Sequence, residues 1–301
     1  MRQHRGCIRL GPGCYHDGVE GLPVAGRPRG AGQAQFLALR TDAVALDSRT
    51  KGKMPDLKLT WLGHSTFLMD SPGGKRILVD PWTLNNPACP EAFKHLDRLD
   101  LMLISHGHFD HISDAVEIAR ETGCQVVCIH ETSLWLMGQG VKNVVGMNKG
   151  GNIPVLAGSS DGQRGIKVRM VDARHSCGIQ DGDQIVYGGE AAGFVVTFED
   201  QTKVYHSGDT ALFGDMALIG ECYAPDIALL PIGDLYTMDP ADAARAVQML
   251  GVRQVIPMHH STFDALPGRP ADFVRQVGSR ARVVVLEPGQ QHVFHKEAAV
   301  R

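Results

Sequence analysis

The sequence predicts an α+β fold in which two halves, each a sheet backed by helices, face each other as a four-layer αββα sandwich. Three observations carry this reading. Short apolar strand candidates alternate with helical segments from Met54 through the first half of the chain. The same alternation returns in the second half, with no short-period repeat. Histidine and aspartate stand directly after several strand candidates, where a rigid sheet can aim side chains at one point.

Taken in order, residues 1–53 are rich in Gly, Arg and Pro with little apolar periodicity, and read as a disordered or loosely attached N-terminal extension. The ordinary globular pattern starts at Met54, which makes 54–301 the functional domain. Residues 57–62 and 66–69 are short strands flanking Gly63-His64-Ser65. Ser71-Pro72-Gly73-Gly74 is a turn, and the strand 76–80 ends at Pro81. Residues 99–105 form a buried strand. A helix follows, starting near Ser113 or Asp114 and ending before Gly123. Then come a strand at 125–129, a short helix from 132 to 137, and strands at 141–147 and 166–171. Residues 193–199 and 202–206 form a hairpin about Asp200-Gln201. A strand at 227–231 precedes a helix capped by Asp239, with Pro240 at its first position and Gly251 after its end. Residues 255–258 are a strand, 271–277 a helix, and 282–286 and 292–294 the closing strands.

Composition narrows the function. At 301 residues and 43% hydrophobic content the chain can bury a sizeable core. A net charge of −3 without a long basic run argues against a nucleic-acid backbone as partner. The seven cysteines form no CxxC pair and read as reduced thiols of a cytoplasmic protein. No apolar run is long enough to span a membrane, and residues 1–20 lack the apolar stretch of a secretory signal.

The chemistry centres on His106-Gly107-His108-Phe109-Asp110-His111, directly after the apolar run Leu101-Met102-Leu103-Ile104. Imidazole and carboxylate suit a borderline cation such as zinc. Gly107 is expected to allow a tight bend, with His106 and His108 serving one cation and Asp110 and His111 available to a second. His175, Asp209 and His259 each follow a later strand. Each alone is more often a hydrogen-bonded structural residue than a ligand; together with the cluster they gain weight.

The HxHxDH motif at 106–111, followed in order by His175, Ser207-Gly208-Asp209-Thr210 and His259, resembles the metallo-β-lactamase superfamily. Trp61-Leu62-Gly63-His64-Ser65 and the glycine-rich segment 188–194 are similar to its branch of small metal-dependent hydrolases, which includes relatives of ascorbate-phosphate lactonase. The resemblance spans about residues 54–297 as judged by motif order. It implies the metallo-β-lactamase fold and two divalent cations. His106, His108 and His175 would hold one, and Asp110, His111 and His259 the other, with Asp209 bridging. Histidine at 108, where di-iron redox relatives carry an acid, implies hydrolysis with zinc; manganese, nickel or iron are also compatible with this ligand set. Asp80 would support the metal-binding turn.

The leading expectation is a hydrolase using a metal-bridging hydroxide on an ester, lactone or phosphodiester of a small molecule. Counting two cations, two aspartates and hydroxide leaves the site near +1, which favours an anionic substrate. Asp110 and Asp209 are the catalytic carboxylates, and His64 a candidate proton donor or substrate contact. Glu190, His130 and His260 are further candidates for substrate contact, the last two standing where the family more often has Asn and Tyr. Ser65 and Cys177 are nucleophiles by type alone. The alternatives are a nuclease-type phosphodiesterase and a non-catalytic metal-binding member of the fold. Relatives of this kind form multimers, so the resemblance is compatible with a homo-oligomer, while the sequence leaves the oligomeric state open.

Overall fold

The computed structural model describes residues 54–157 and 164–296. The expectation for residues 1–53 lies outside the described residues. The first half runs β1 (Leu57–Trp61), β2 (Phe67–Asp70), β3 (Arg76–Val79) and β4 (Leu101–Leu103), then α1 (Phe109–Ile112) and α2 (Ala115–Thr122). It continues with β5 (Gln125–Ile129), α3 (His130–Gly138) and β6 (Val144–Met147). The second half runs β7 (Asn152–Leu156), β8 (Ile166–Asp172), β9 (Gly178–Asp181), β10 (Gln184–Tyr187), β11 (Ala192–Thr197) and β12 (Lys203–His206). After these come α4 (Met216–Tyr223), β13 (Ile227–Pro231), α5 (Pro240–Leu250), β14 (Gln254–Met258), α6 (Pro270–Val277), β15 (Arg282–Val283) and β16 (Gln291–Phe294).

Two seven-stranded sheets result, ordered β16-β1-β2-β3-β4-β5-β6 and β15-β14-β13-β12-β11-β8-β7. Side-chain alternation explains why they stack. Leu57, Leu59 and Trp61 of β1 point to one face, as do Phe67 and Met69 of β2 and Ile77 and Val79 of β3. These meet Met170, Phe194, Val204, Leu229 and Ile256 of the second sheet in a shared core. The opposite faces carry the helices. Leu68, Leu78 and Met102 pack with Ala115, Ile118 and Leu136 of α2 and α3. Val195, Tyr205 and Leu230 pack with residues of α4, α5 and α6 such as Ile219, Val247 and Phe273. This is the expected αββα sandwich. No helix of the described residues is long and apolar enough to cross a membrane.

Several elements depart from expectation. The two closing strands do not share a sheet: β15 pairs with β14, whereas β16 returns to pair with β1. β7, the hairpin β9–β10 and α4 were not expected. Gly220 lies within α4 because a Cβ there would approach Leu250 O at 2.5 Å, so the residue that weakens the helix signal also seats the helix on α5. α5 follows its signals closely, with Asp239 accepting from Asp242 N–H at 2.7 Å and Gly251 in the left-handed region at φ 64°.

β4 contributes three fully buried residues to the sheet that carries the histidine turn. Leu103→Ala is expected to lower unfolding free energy by about 2–5 kcal/mol in a urea titration.

Candidate metal centre

The cleft lies where strand ends of both sheets meet. β4 delivers Ile104, Ser105 and then His106. His108 precedes α1, and Asp110 and His111 sit on that helix. In the second sheet β8 and β12 both run antiparallel to β11, and β12, β13 and β14 are mutually parallel. The C-terminal ends of β8, β12 and β14 therefore share one edge, from which His175, Asp209 and His259 follow. Glycine is required at Gly107 by packing and not by a bend: its φ is not left-handed, but a Cβ would overlap Ile179 Cγ1 of β9. Gly208 is needed for both reasons. Its φ is +60°, and a Cβ would lie 2.7 Å from Ala192 O and 2.8 Å from Ser105 Cβ.

The side chains converge in three overlapping groups. The ring nitrogens of His106, His108 and His175 gather, with His106 Nε2 3.0 Å and His175 Nε2 3.2 Å from His108 Nδ1. Asp110, His111 and His259 form a second group together with His64. Asp209 stands between the groups. Its Oδ2 is 3.0 Å from His259 Nε2, 3.2 Å from His111 Nε2, 3.7 Å from His175 Nε2 and 3.9 Å from His106 Nε2.

Hydrogen bonds behind the cluster set the tautomers. Asp80 is fully buried and accepts from Ser105 N–H, Ser105 Oγ–H and His111 Nδ1–H, each at 2.8 Å. Because the Ser105 hydroxyl proton goes to Asp80, its oxygen accepts from His106 Nδ1–H at 2.9 Å. In their neutral forms both histidines therefore turn an unprotonated Nε2 toward Asp209. His111 Nε2 is buried and has no hydrogen-bond partner, although a carboxylate oxygen is 3.2 Å away. A buried lone pair facing ionised carboxylates is costly without a proton or a cation. The donor set thus fits divalent metal. Without metal, burial opposes the charge on His111, but Asp209, Asp110 and Asp80 hold its pKa well above the usual imidazole range. Burial, with the charge of His111 next, pushes His106 well below that range, and burial also lowers His108 and His175. Burial opposes ionisation of Asp209, yet His111 and His259 keep its pKa well below the ordinary carboxylate value.

A cavity of about 600 Å³ opens over the cluster. His108, Asp110, His175, Asp209 and His259 reach its floor, while Phe109, Ile185, Tyr236, Phe263 and Ala265 line its walls. Four expected substrate contacts do not line it. His64 is 0% exposed; its Nε2–H donates to Asp110 Oδ2 at 2.8 Å and its Nδ1 is 3.1 Å from Thr262 Oγ. Burial, and then the neighbouring His259, lower its pKa to about 4, and its hydrogen bond braces the Asp110 carboxylate. His260 is buried and packs its ring 4.9 Å from Trp61. His130 is exposed at the start of α3. Glu190, with its side chain 70% exposed, pairs with Lys149. Ser65 donates to Asp209 Oδ1 at 3.4 Å, and buried Cys177 has its thiol pKa raised by burial, so neither is poised as a nucleophile. Among the described residues no Lys or Arg lines the cavity, so the wall gives no support to the anionic substrate that the charge count favoured.

Comparison with known proteins bears on this geometry. A family model described as a beta-lactamase superfamily domain matches residues 75–260. A UPF0173 metal-dependent hydrolase of Koribacter versatilis is 53% identical over 221 residues, covering 73% of this chain and 91% of the relative. Another, from Rubrobacter xylanophilus, is 48% identical over 238 residues, covering 78% of this chain and 95% of the relative. The solved structure of Igni18, described as a novel metallo hydrolase from Ignicoccus hospitalis, is similar with a TM-score of 0.68 and 38% identity. It covers 80% of this chain and 99% of that one.

Asp80→Ala would leave His111 Nδ1–H and Ser105 N–H without a carboxylate. Metal affinity, measured by competition with a chromophoric chelator, is expected to fall by about 10–100-fold.

Proposed function

The chain belongs to the metallo-β-lactamase superfamily and is one of its metal-dependent hydrolases, and from that premise we propose a two-cation centre that cleaves an ester, lactone or phosphodiester bond of a small molecule. The observation that carries the proposal is Asp209 Oδ2, which lies within 3.9 Å of ring nitrogens from both histidine groups. His106, His108 and His175 would hold one cation, and Asp110, His111 and His259 the other, with Asp209 shared. Zinc suits this donor set, and manganese, nickel and iron are accommodated by the same ligands. When bound, such a pair acts as a Lewis acid toward water and toward the substrate's oxygen.

The chain's own residues perform the rest. The cavity over the cluster confines a small molecule with its scissile bond at the floor. Asp110 faces that cavity and is positioned to take the proton released by attacking water, with His64 Nε2–H fixing its carboxylate. Ser65 holds the outer oxygen of Asp209, leaving Oδ2 for the centre. Asp80 orients one histidine of each group, His111 directly and His106 through Ser105. The absence of Lys and Arg from the lining residues weighs against the nuclease alternative.

The test is metal content and turnover on the same samples. Dialysed protein is expected to carry two zinc equivalents by emission spectroscopy. His175→Ala should lose about one equivalent and Asp209→Ala should weaken both. Each should lower kcat/KM by at least about 100-fold on a panel of p-nitrophenyl esters, lactones and bis(p-nitrophenyl) phosphate. Undiminished turnover after complete removal of metal would defeat the proposal.

A further inference from the structure

The two ends of the cavity differ in chemistry. The floor is histidine and aspartate, whereas the mouth is apolar, and its large side chains stand unusually far into solvent. Phe109 is 53% exposed, Ile185 73% and Tyr236 61%. They come from three separate elements: the start of α1, the hairpin strand β10 and the loop after β13. Phe263 completes the wall from the loop after β14. Exposed apolar residues scattered singly need no explanation, but here they gather around one opening directly over the candidate centre.

The wall is also braced. Trp82 is buried beneath it and stacks on Phe263 at 5.8 Å, with an interplanar angle of 29°. It meets the edge of Phe109 at the same centroid distance. Ile185 is seated against Gly178, where a Cβ would lie 2.8 Å from Ile185 Cγ2. A surface held in place before binding loses little side-chain freedom when a ligand arrives. Among the described residues no Lys or Arg lines the cavity; its polar wall groups beyond the floor are Ser176, Gln180 and the Tyr236 hydroxyl. A substrate with phosphate or carboxylate groups remote from the scissile bond would leave them beside hydrocarbon without a counter-charge.

We propose that the substrate carries an uncharged apolar chain or ring next to its scissile bond, and that Phe109, Ile185, Tyr236 and Phe263 bind this group. The inference rests on the hydrolase reading in calling the ligand a substrate; the binding site itself stands on the wall alone. A cavity of about 600 Å³ falls in the range of small-molecule sites, enough for a medium-length chain in addition to the reacting group.

The test separates binding from turnover. Straight-chain 2-alkanones of four to ten carbons carry a carbonyl but no leaving group. Titration calorimetry on the full chain should show affinity rising about threefold to fourfold per methylene, as expected for ~0.8 kcal/mol per buried methylene, until the cavity is full. The slope should persist after chelator treatment. Ile185→Asp and Tyr236→Ala, both at exposed positions, should each weaken 2-octanone binding by about tenfold while leaving the circular dichroism spectrum unchanged. A flat dependence on chain length, or tighter binding of suberate than of 2-octanone, would overturn the proposal. In parallel, p-nitrophenyl esters from acetate to octanoate should follow the same trend in kcat/KM with zinc-loaded protein. A retained ketone slope with no turnover of any ester would support the apolar site and count against the hydrolase reading alone.

Discussion

A single buried carboxylate holds the centre in register. Asp80 directly follows β3 and accepts from the backbone and hydroxyl of Ser105 and from His111. Its neighbour β4 runs parallel to β3 and delivers Ser105 and His106. One side chain thus ties two adjacent strand ends and α1 together, and at the same time decides which nitrogen of two histidines is bare in their neutral forms. The sandwich would survive without this contact more readily than the site would. Sheet packing can place a histidine to within its own rotamer, but only a hydrogen bond to the far nitrogen settles its proton.

The second constraint is the shared edge of the second sheet. His175, Asp209 and His259 are far apart in sequence, yet all follow strands that finish at the same edge. Gly208 lets the Asp209 loop press onto Ser105, so the two sheets meet through the site as well as through the core. Core and cleft are in this sense one construction. The apolar faces bring the sheets together, and the polar strand ends close at the margin the core leaves open.

Much of this was legible in the sequence, for identifiable reasons. The histidine motif follows a buried apolar run, and the later candidates each follow a strand candidate. α5 announced itself through Asp239, Pro240 and Gly251. What escaped had weak or misleading signals. The hairpin β9–β10 carries Asp181-Gly182 at its turn, a usable sign, but its strands are only four residues each and largely exposed. α4 is interrupted by Gly220. The direction of His64 and His260 was not legible, because each adjoins a residue of the centre and only the backbone path decides which side chain enters the cleft. The cavity wall was invisible for another reason. Phe109, Ile185, Tyr236 and Phe263 lie on four different segments, and nothing in one sequence says that they meet.

His64, Asp80 and His259 share an unusual backbone: their φ angles are 55°, 52° and 54°, in the left-handed region that residues with a Cβ avoid at a cost of about 1–2 kcal/mol. All three sit at turns directly after strands, and each spends that conformational energy at the cleft. The four wall side chains themselves carry no such burden, since none of Phe109, Ile185, Tyr236 and Phe263 has a positive φ, although Asp234 and Leu235, directly before Tyr236, do at 64° and 39°. A substitution at a wall side chain therefore meets no backbone constraint at its own position, whereas a change at His64, Asp80 or His259 must also suit a contorted main chain.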